Sequence, residues 1–154
     1  MAGRRPLAGA RIIIRNSARA RTNFAIAGAY TGAKRDMFTP AAVKPVVPMS
    51  VVESLDIRVG TIQAVDDVAA SRKLVRLTVG FGDHTRSILA GMKHERQDLQ
   101  ELVGRQALFV VNLEPRRMAG ERSEGMLFDI GYADGVVPVL ATPERPVPDG
   151  TRAG

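Results

Sequence analysis

The segment from Ala107 to Val111 is apolar at every position and reads as a strand buried on both faces. Pro115 ends its ladder of hydrogen bonds, because proline has no N–H to donate. Arg116, Arg117 and Arg122 then fall within seven residues, offset only by Glu121 and flanked by the small residues Ala119, Gly120, Ser123 and Gly125, before apolar sequence resumes at Met126. A chain built this way carries a cationic turn between two strands. Paired guanidiniums suit bidentate recognition of phosphate or base edges. The same composition also fits a solvated hairpin loop whose arginines simply face water.

The rest of the second half extends the strand pattern. Ser50 to Glu53 has capping-box spacing for a short opening helical turn. A long strand is expected over 57–68, with a bulge at Gly60, where the apolar parity shifts from Ile57 and Val59 to Ile62 and Ala64. Val75, Leu77 and Val79 alternate with Arg76 and Thr78, and the turn at 80–83 leads into a second strand over 85–90, which makes a hairpin. A short helix over 97–102 is stopped by Gly104, and strands over 106–112, 125–130 and 136–140 follow, the last placed at an edge by Pro138. Several short strands with one inserted helix suit an all-β fold, either a small barrel or a small sandwich.

Charge separates the two ends of the chain. The net charge is +6, but residues 1–48 hold nine Lys/Arg against one acid, Asp36, a balance of +8, and residues 49–154 come to −2. A polyanion bound by the second segment must therefore meet a local patch and not the field of the whole molecule. The first segment is rich in Arg, Ala and Gly, and Pro40, Pro45 and Pro48 punctuate its end. Such a tail is expected to be disordered, for want of contiguous apolar surface. It reads as an RNA-binding arm, as a mitochondrial transit peptide, or as the product of a misassigned start with Met37 or Met49 as initiator. Its longest apolar run, Ile12 to Ile14, is too short for a signal peptide or membrane span, so no membrane association is expected.

A catalytic constellation is not visible. There is no cysteine, which rules out disulfides, thiolate nucleophiles and cysteine-ligated zinc and is compatible with a cytoplasmic location. His84 and His94 lack the spacing of a metal pair, and Asp66 and Asp67 have no neighbour that would tune a general acid. Ser54, Ser71, Ser87 and Ser123 lack a nucleophile-elbow context. The chain is expected to be a non-enzymatic binder without a cofactor or metal.

Asn112, Leu113, Pro115, Arg116 and Arg117, followed by Ser123, Glu124, Gly125 and Met126, resemble the signature of the tRNA-binding domain that occurs in stand-alone proteins and appended to methionyl-tRNA synthetases. The companion motifs are Leu55 to Gly60, Ile88 to Met92 and Asp98 to Gly104, and the end from Pro143 to Arg152 is similar to the secretion-chaperone-like CsaA group of that family. The resemblance covers about 50–154. It implies a five-stranded OB-fold barrel over 49–154, a homodimer, and tRNA contacts at Arg58, Ser87, Met92, Lys93, Asn112, Arg116, Arg117, Ser123, Glu124 and Met126. The dimer interface is expected at Val51, Val52 and Leu55 and at Pro143, Pro146, Val147 and Pro148. Core packing is an equal reading for Met92 and Met126. The alternative functions are a chaperone-like binder of unfolded export clients and a docking subunit for an aminoacyl-tRNA synthetase.

Overall fold

The computed structural model describes residues 38–154, so the readings of residues 1–37 as arm, transit peptide or extension lie outside the described residues. The described chain runs α1 (Met49–Glu53), β1 (Ile57–Asp67), β2 (Val75–Gly80), β3 (Thr85–Ala90), a 3-10 turn (Leu99–Leu102), β4 (Gln106–Val110), β5 (Arg116–Met118), β6 (Glu121–Ser123), β7 (Met126–Leu127), β8 (Asp129–Ile130), a second 3-10 turn (Tyr132–Asp134), β9 (Val139–Leu140) and β10 (Arg152–Ala153). Strands β3, β2, β1, β4 and β7 are neighbours in that order in one antiparallel, curled sheet, with β10 added to the start of β1. The fold is mostly β with little helix, the half-barrel of the OB type.

The sheet curls because β1 is shared. Its first half pairs with β4, from Ile57 opposite Val110 to Thr61 opposite Gln106, and its second half pairs with β2, from Thr61 opposite Gly80 to Asp67 opposite Val75. The bulge lies between Ile62 and Ala64 and not at Gly60, which stays in register with Ala107. Gly60 answers a different demand: a Cβ there would come within 2.7 Å of both the Phe81 ring and Val79, so the barrel interior has no space for one. Phe109, fully buried, centres the core with Ile62, Leu77, Ile88 and Leu102, and the Phe81 ring meets it edge-on at 5.7 Å.

Four further expectations need correction. Pro48, not Ser50, caps α1, and no side-chain cap bond forms, so the capping-box reading fails. The strand expected over 125–130 is interrupted at Phe128, and the one expected over 136–140 shrinks to Val139–Leu140; before it, a 3-10 turn runs between left-handed Gly131 and Gly135, and the Val136 amide donates back to the Gly131 carbonyl at 3.0 Å and not to a neighbouring strand. The inserted helix is a single 3-10 turn, capped by the Asp98 carboxylate, which accepts from the Gln100 amide at 2.8 Å.

Sequence offered no signal for β10. It is held by a polar clasp: the Asp149 carboxylate accepts from Thr61 Oγ1 at 2.7 Å and from Gln106 Nε2 at 2.8 Å, while Gln106 also donates to the Val147 carbonyl and accepts from its amide. No helix among the described residues is long and apolar enough to cross a membrane.

Candidate nucleic-acid interface

The stretch from Asn112 to Met126 divides into a scaffold and a projection. The projection is the hairpin β5–β6, two short paired strands in place of the cationic turn expected between the longer ones. Ala119 and Gly120 form its two-residue bend, with φ of 50° and 83°, the left-handed pair that a tight hairpin with native twist requires. Arg117 is the cross-strand partner of Arg122, and Met118 that of Glu121. Because successive residues of a strand alternate faces, Arg117 and Arg122 share one face, and Met118 and Glu121 share the other. Burial agrees: Arg116, Arg117 and Arg122 are exposed, whereas Met118 and Glu121 are half-buried.

Glu121, the acid that on paper offsets the arginines, is turned away from Arg117 and Arg122. Arg76 on β2 donates to its carboxylate at 3.0 Å and to Asp66 on β1 at 3.3 Å. These two carboxylates raise the already high pKa of Arg76, the Asp66 hydrogen bond contributing most. Among the described residues, Arg116, Arg117 and Arg122 have no ion-pair partner.

The scaffold is a seam that closes the half-barrel against β3. The Glu124 amide donates to the Ser87 carbonyl at 2.8 Å, and the Glu124 carboxylate accepts from the Ser87 amide at 3.2 Å. Ser123, 3 % exposed, accepts from the Leu89 amide and donates to the Gly125 carbonyl, each at 3.0 Å. Side chains here take the place of ladder bonds that the interrupted strand does not make. Gly125 follows for steric reasons, since a Cβ would lie 2.8 Å from the Val110 carbonyl oxygen. Arg86, which sequence reading passed over, reaches across the seam to the carbonyls of Val111 and Glu124.

The other expected contact residues are distributed as follows. The Asn112 carboxamide accepts from the Asp56 amide at 2.8 Å and donates to the Ser54 carbonyl at 2.7 Å, tying the end of α1 to the end of β4. Arg58 makes a two-point contact with Asp56, both bonds at 2.9 Å, and Arg152 adds a third. The Arg58 hydrogen bond is the largest cause of a lowered Asp56 pKa. Lys93 is paired with Asp67 and donates to the Ser71 carbonyl at 2.9 Å. Met92 is buried in the core, while Met126 is 47 % exposed. The structure thus brings Ser87, Ser123 and Glu124 together at the seam and leaves Arg116, Arg117 and Met126 outward. It sets Arg58 and Asn112 at the start of β1 and Lys93 beside the 68–74 loop.

Met126 lines a groove of about 710 Å³ with Leu74, Leu89, Met92, Phe128 and Tyr132, and Lys73, His94, Glu95 and Asp129 are among its polar lining. Burial raises the Glu95 pKa, and Asp129 adds to the effect. His84, the other histidine, is exposed, bonded to Asp83 at 2.6 Å and stacked on Phe81. Of the expected dimer residues, Val51, Val52 and Leu55 are exposed, as are Pro146 and Pro148. Pro143 and Val147 are half-buried.

This architecture has counterparts of known structure. A MetRS-related protein from Pyrococcus horikoshii superposes with a TM-score of 0.66 at 29 % identity, over 72 % of this chain and all of that one. The chaperone CsaA from Bacillus anthracis gives 0.62 at 27 % identity, over 71 % of this chain and all of that one. In sequence, the methionine–tRNA ligase of Chlorobium chlorochromatii is 41 % identical over 93 residues, which are 60 % of this chain and 13 % of the ligase. That of Methanothrix thermoacetophila is 40 % identical over 107 residues, 70 % of this chain and 15 % of the ligase. The chain therefore matches only a small part of those enzymes' length. Residues 57–152 match the family model described as putative tRNA binding domain, and the chain belongs to that family.

Proposed function

We propose that the chain is a non-catalytic tRNA-binding module that meets the RNA backbone through the β5–β6 hairpin and selects folded RNA by shape. The observation that carries this reading is the hairpin itself, with three exposed arginines and its one acid withdrawn onto Arg76. Of the Phe and Tyr rings over 49–154, Phe81 and Phe109 are buried and only Phe128 and Tyr132, beside the Met126 groove, are exposed, so phosphate contact outweighs base stacking. Arg116, Arg117 and Met126 are outward and available. Ser123, Glu124, Asn112, Lys93 and Arg58 serve mainly by holding the surface in shape, because their polar groups are already bonded within the protein.

A homodimer would double this small contact set, and the exposed Val51, Val52 and Leu55 support an interface there. Family relatives among the methionine–tRNA ligases make a synthetase a reasonable partner. The apolar groove at Met126 favours a second reading, an export-related binder of unfolded peptide, as the similarity to CsaA also suggests. Competition separates the two. A tRNA module retains labelled tRNA when challenged with excess nucleic-acid-free unfolded protein and loses it to unlabelled tRNA. Displacement by unfolded protein alone, with tRNA ineffective, would install the peptide reading.

A further inference from the structure

Two arginines standing directly opposite on one face of a two-stranded hairpin repel each other, and like charges in such cross-strand pairs are destabilising. Arg117 and Arg122 are such a pair, and neither has an ion-pair partner among the described residues. The nearest acid in sequence, Glu121, sits on the opposite face and is occupied by Arg76. The bend that brings the two strands into this register uses Ala119 at φ 50°, a left-handed conformation that is disfavoured for a residue carrying a Cβ. The hairpin therefore accepts both backbone strain and charge repulsion.

We propose that Arg117 and Arg122 form a clamp for a single backbone phosphate of RNA, and that Arg116 is outside it. The inference rests on the tRNA-binding reading and assigns its principal contact. A phosphodiester seated between the two guanidiniums turns the repulsion into two charge-assisted contacts with one anion. Arg116 cannot join, because it pairs with buried Ser123 and lies on the opposite face of the hairpin. The sequence spacing alone favours the adjacent pair Arg116 and Arg117; the register replaces Arg116 with Arg122.

The test is a double-mutant cycle in the full chain, read as tRNA affinity at several salt concentrations, with circular dichroism to check folding. R117A and R122A are each expected to weaken binding on the order of tenfold. The double variant is expected to lose clearly less than the product of the two, because either arginine alone holds the phosphate poorly. R116A should cost less than about threefold, the loss left when a neighbouring charge acts only through screened solvent. R117Q and R122Q, which keep a polar but shorter and uncharged side chain, should reproduce the alanine results. The clamp is overturned if R116A matches or exceeds R122A, or if the R117A and R122A losses multiply in full. If the variant lacking all three arginines binds like the parent, the tRNA reading fails together with the clamp. If that variant loses binding while R122A is silent, only the clamp fails.

Discussion

The seam and the hairpin lie within one continuous run of chain, yet they treat polar side chains in opposite ways. At the seam Ser123, Glu124 and Arg86 have their polar atoms engaged with backbone, and the surrounding residues are buried or half-buried. On the hairpin, three arginines reach solvent and the acid is the group that is tied down. A motif read from sequence as one binding signature is thus two objects. One part closes a barrel whose strand is interrupted, and the other presents charge. A polar residue in such a motif belongs to the scaffold when its bonds are already made inside the protein and to the surface when they are not.

This contrast gives expectations of decreasing size. Phe109→Ala, at the centre of the core that both regions depend on, is expected to lower unfolding free energy by about 3–5 kcal/mol in denaturant titration. Ser123→Ala should cost about 1–3 kcal/mol by the same measurement, because it leaves the Leu89 amide and Gly125 carbonyl without their partner. Its tRNA affinity per folded molecule should be unchanged. A Ser123→Ala protein with full stability and impaired binding would move Ser123 from scaffold to contact.

On the hairpin, Ala119→Asn is expected to raise stability by up to about 1 kcal/mol, since asparagine tolerates the left-handed first position of such a bend. Thermal unfolding reads it, and a fall in Tm would show that the bend is not strained.

The smallest effect concerns pH. The folded Glu95 pKa is raised by burial, so the folded protein holds this proton more tightly than the unfolded chain does. Stability from this group is present at low pH and declines as pH rises from the ordinary carboxyl value through the raised one. Glu95→Gln should flatten that decline. Asp56 works in the other direction: with its pKa lowered by Arg58, its contribution is present above the ordinary carboxyl value and is lost as pH falls through the lowered one.

Much of the barrel was legible because burial writes a period into sequence. Val75, Leu77 and Val79 alternate with half-buried Arg76 and Thr78, and β3 occupies the expected residues. What was not legible depended on partners distant in the chain. The tie from Asn112 to Asp56 and Ser54 spans more than fifty residues, and the clasp of β10 on Thr61 spans 88. The strand register of the hairpin was not legible for a local reason: its bend uses Ala-Gly, not the usual Asn-Gly or Asp-Gly, so the left-handed pair carried no familiar sequence mark. Once that bend is recognised, alternation alone places Arg117 opposite Arg122. The fate of Glu121 needed Arg76, 45 residues earlier.

The division between seam and hairpin is tested most directly by the salt dependence of tRNA binding in two variants of the full chain, Ser123→Ala and the variant with Arg116, Arg117 and Arg122 all replaced by alanine. The account predicts a parental slope of log affinity against log salt for the serine variant, with lowered Tm. For the arginine variant it predicts a Tm at or slightly above the parental one, since the Arg117–Arg122 repulsion is removed, and a slope reduced in magnitude by about one to two. An arginine variant that keeps the parental slope, or a serine variant that loses slope while keeping its stability, would contradict it.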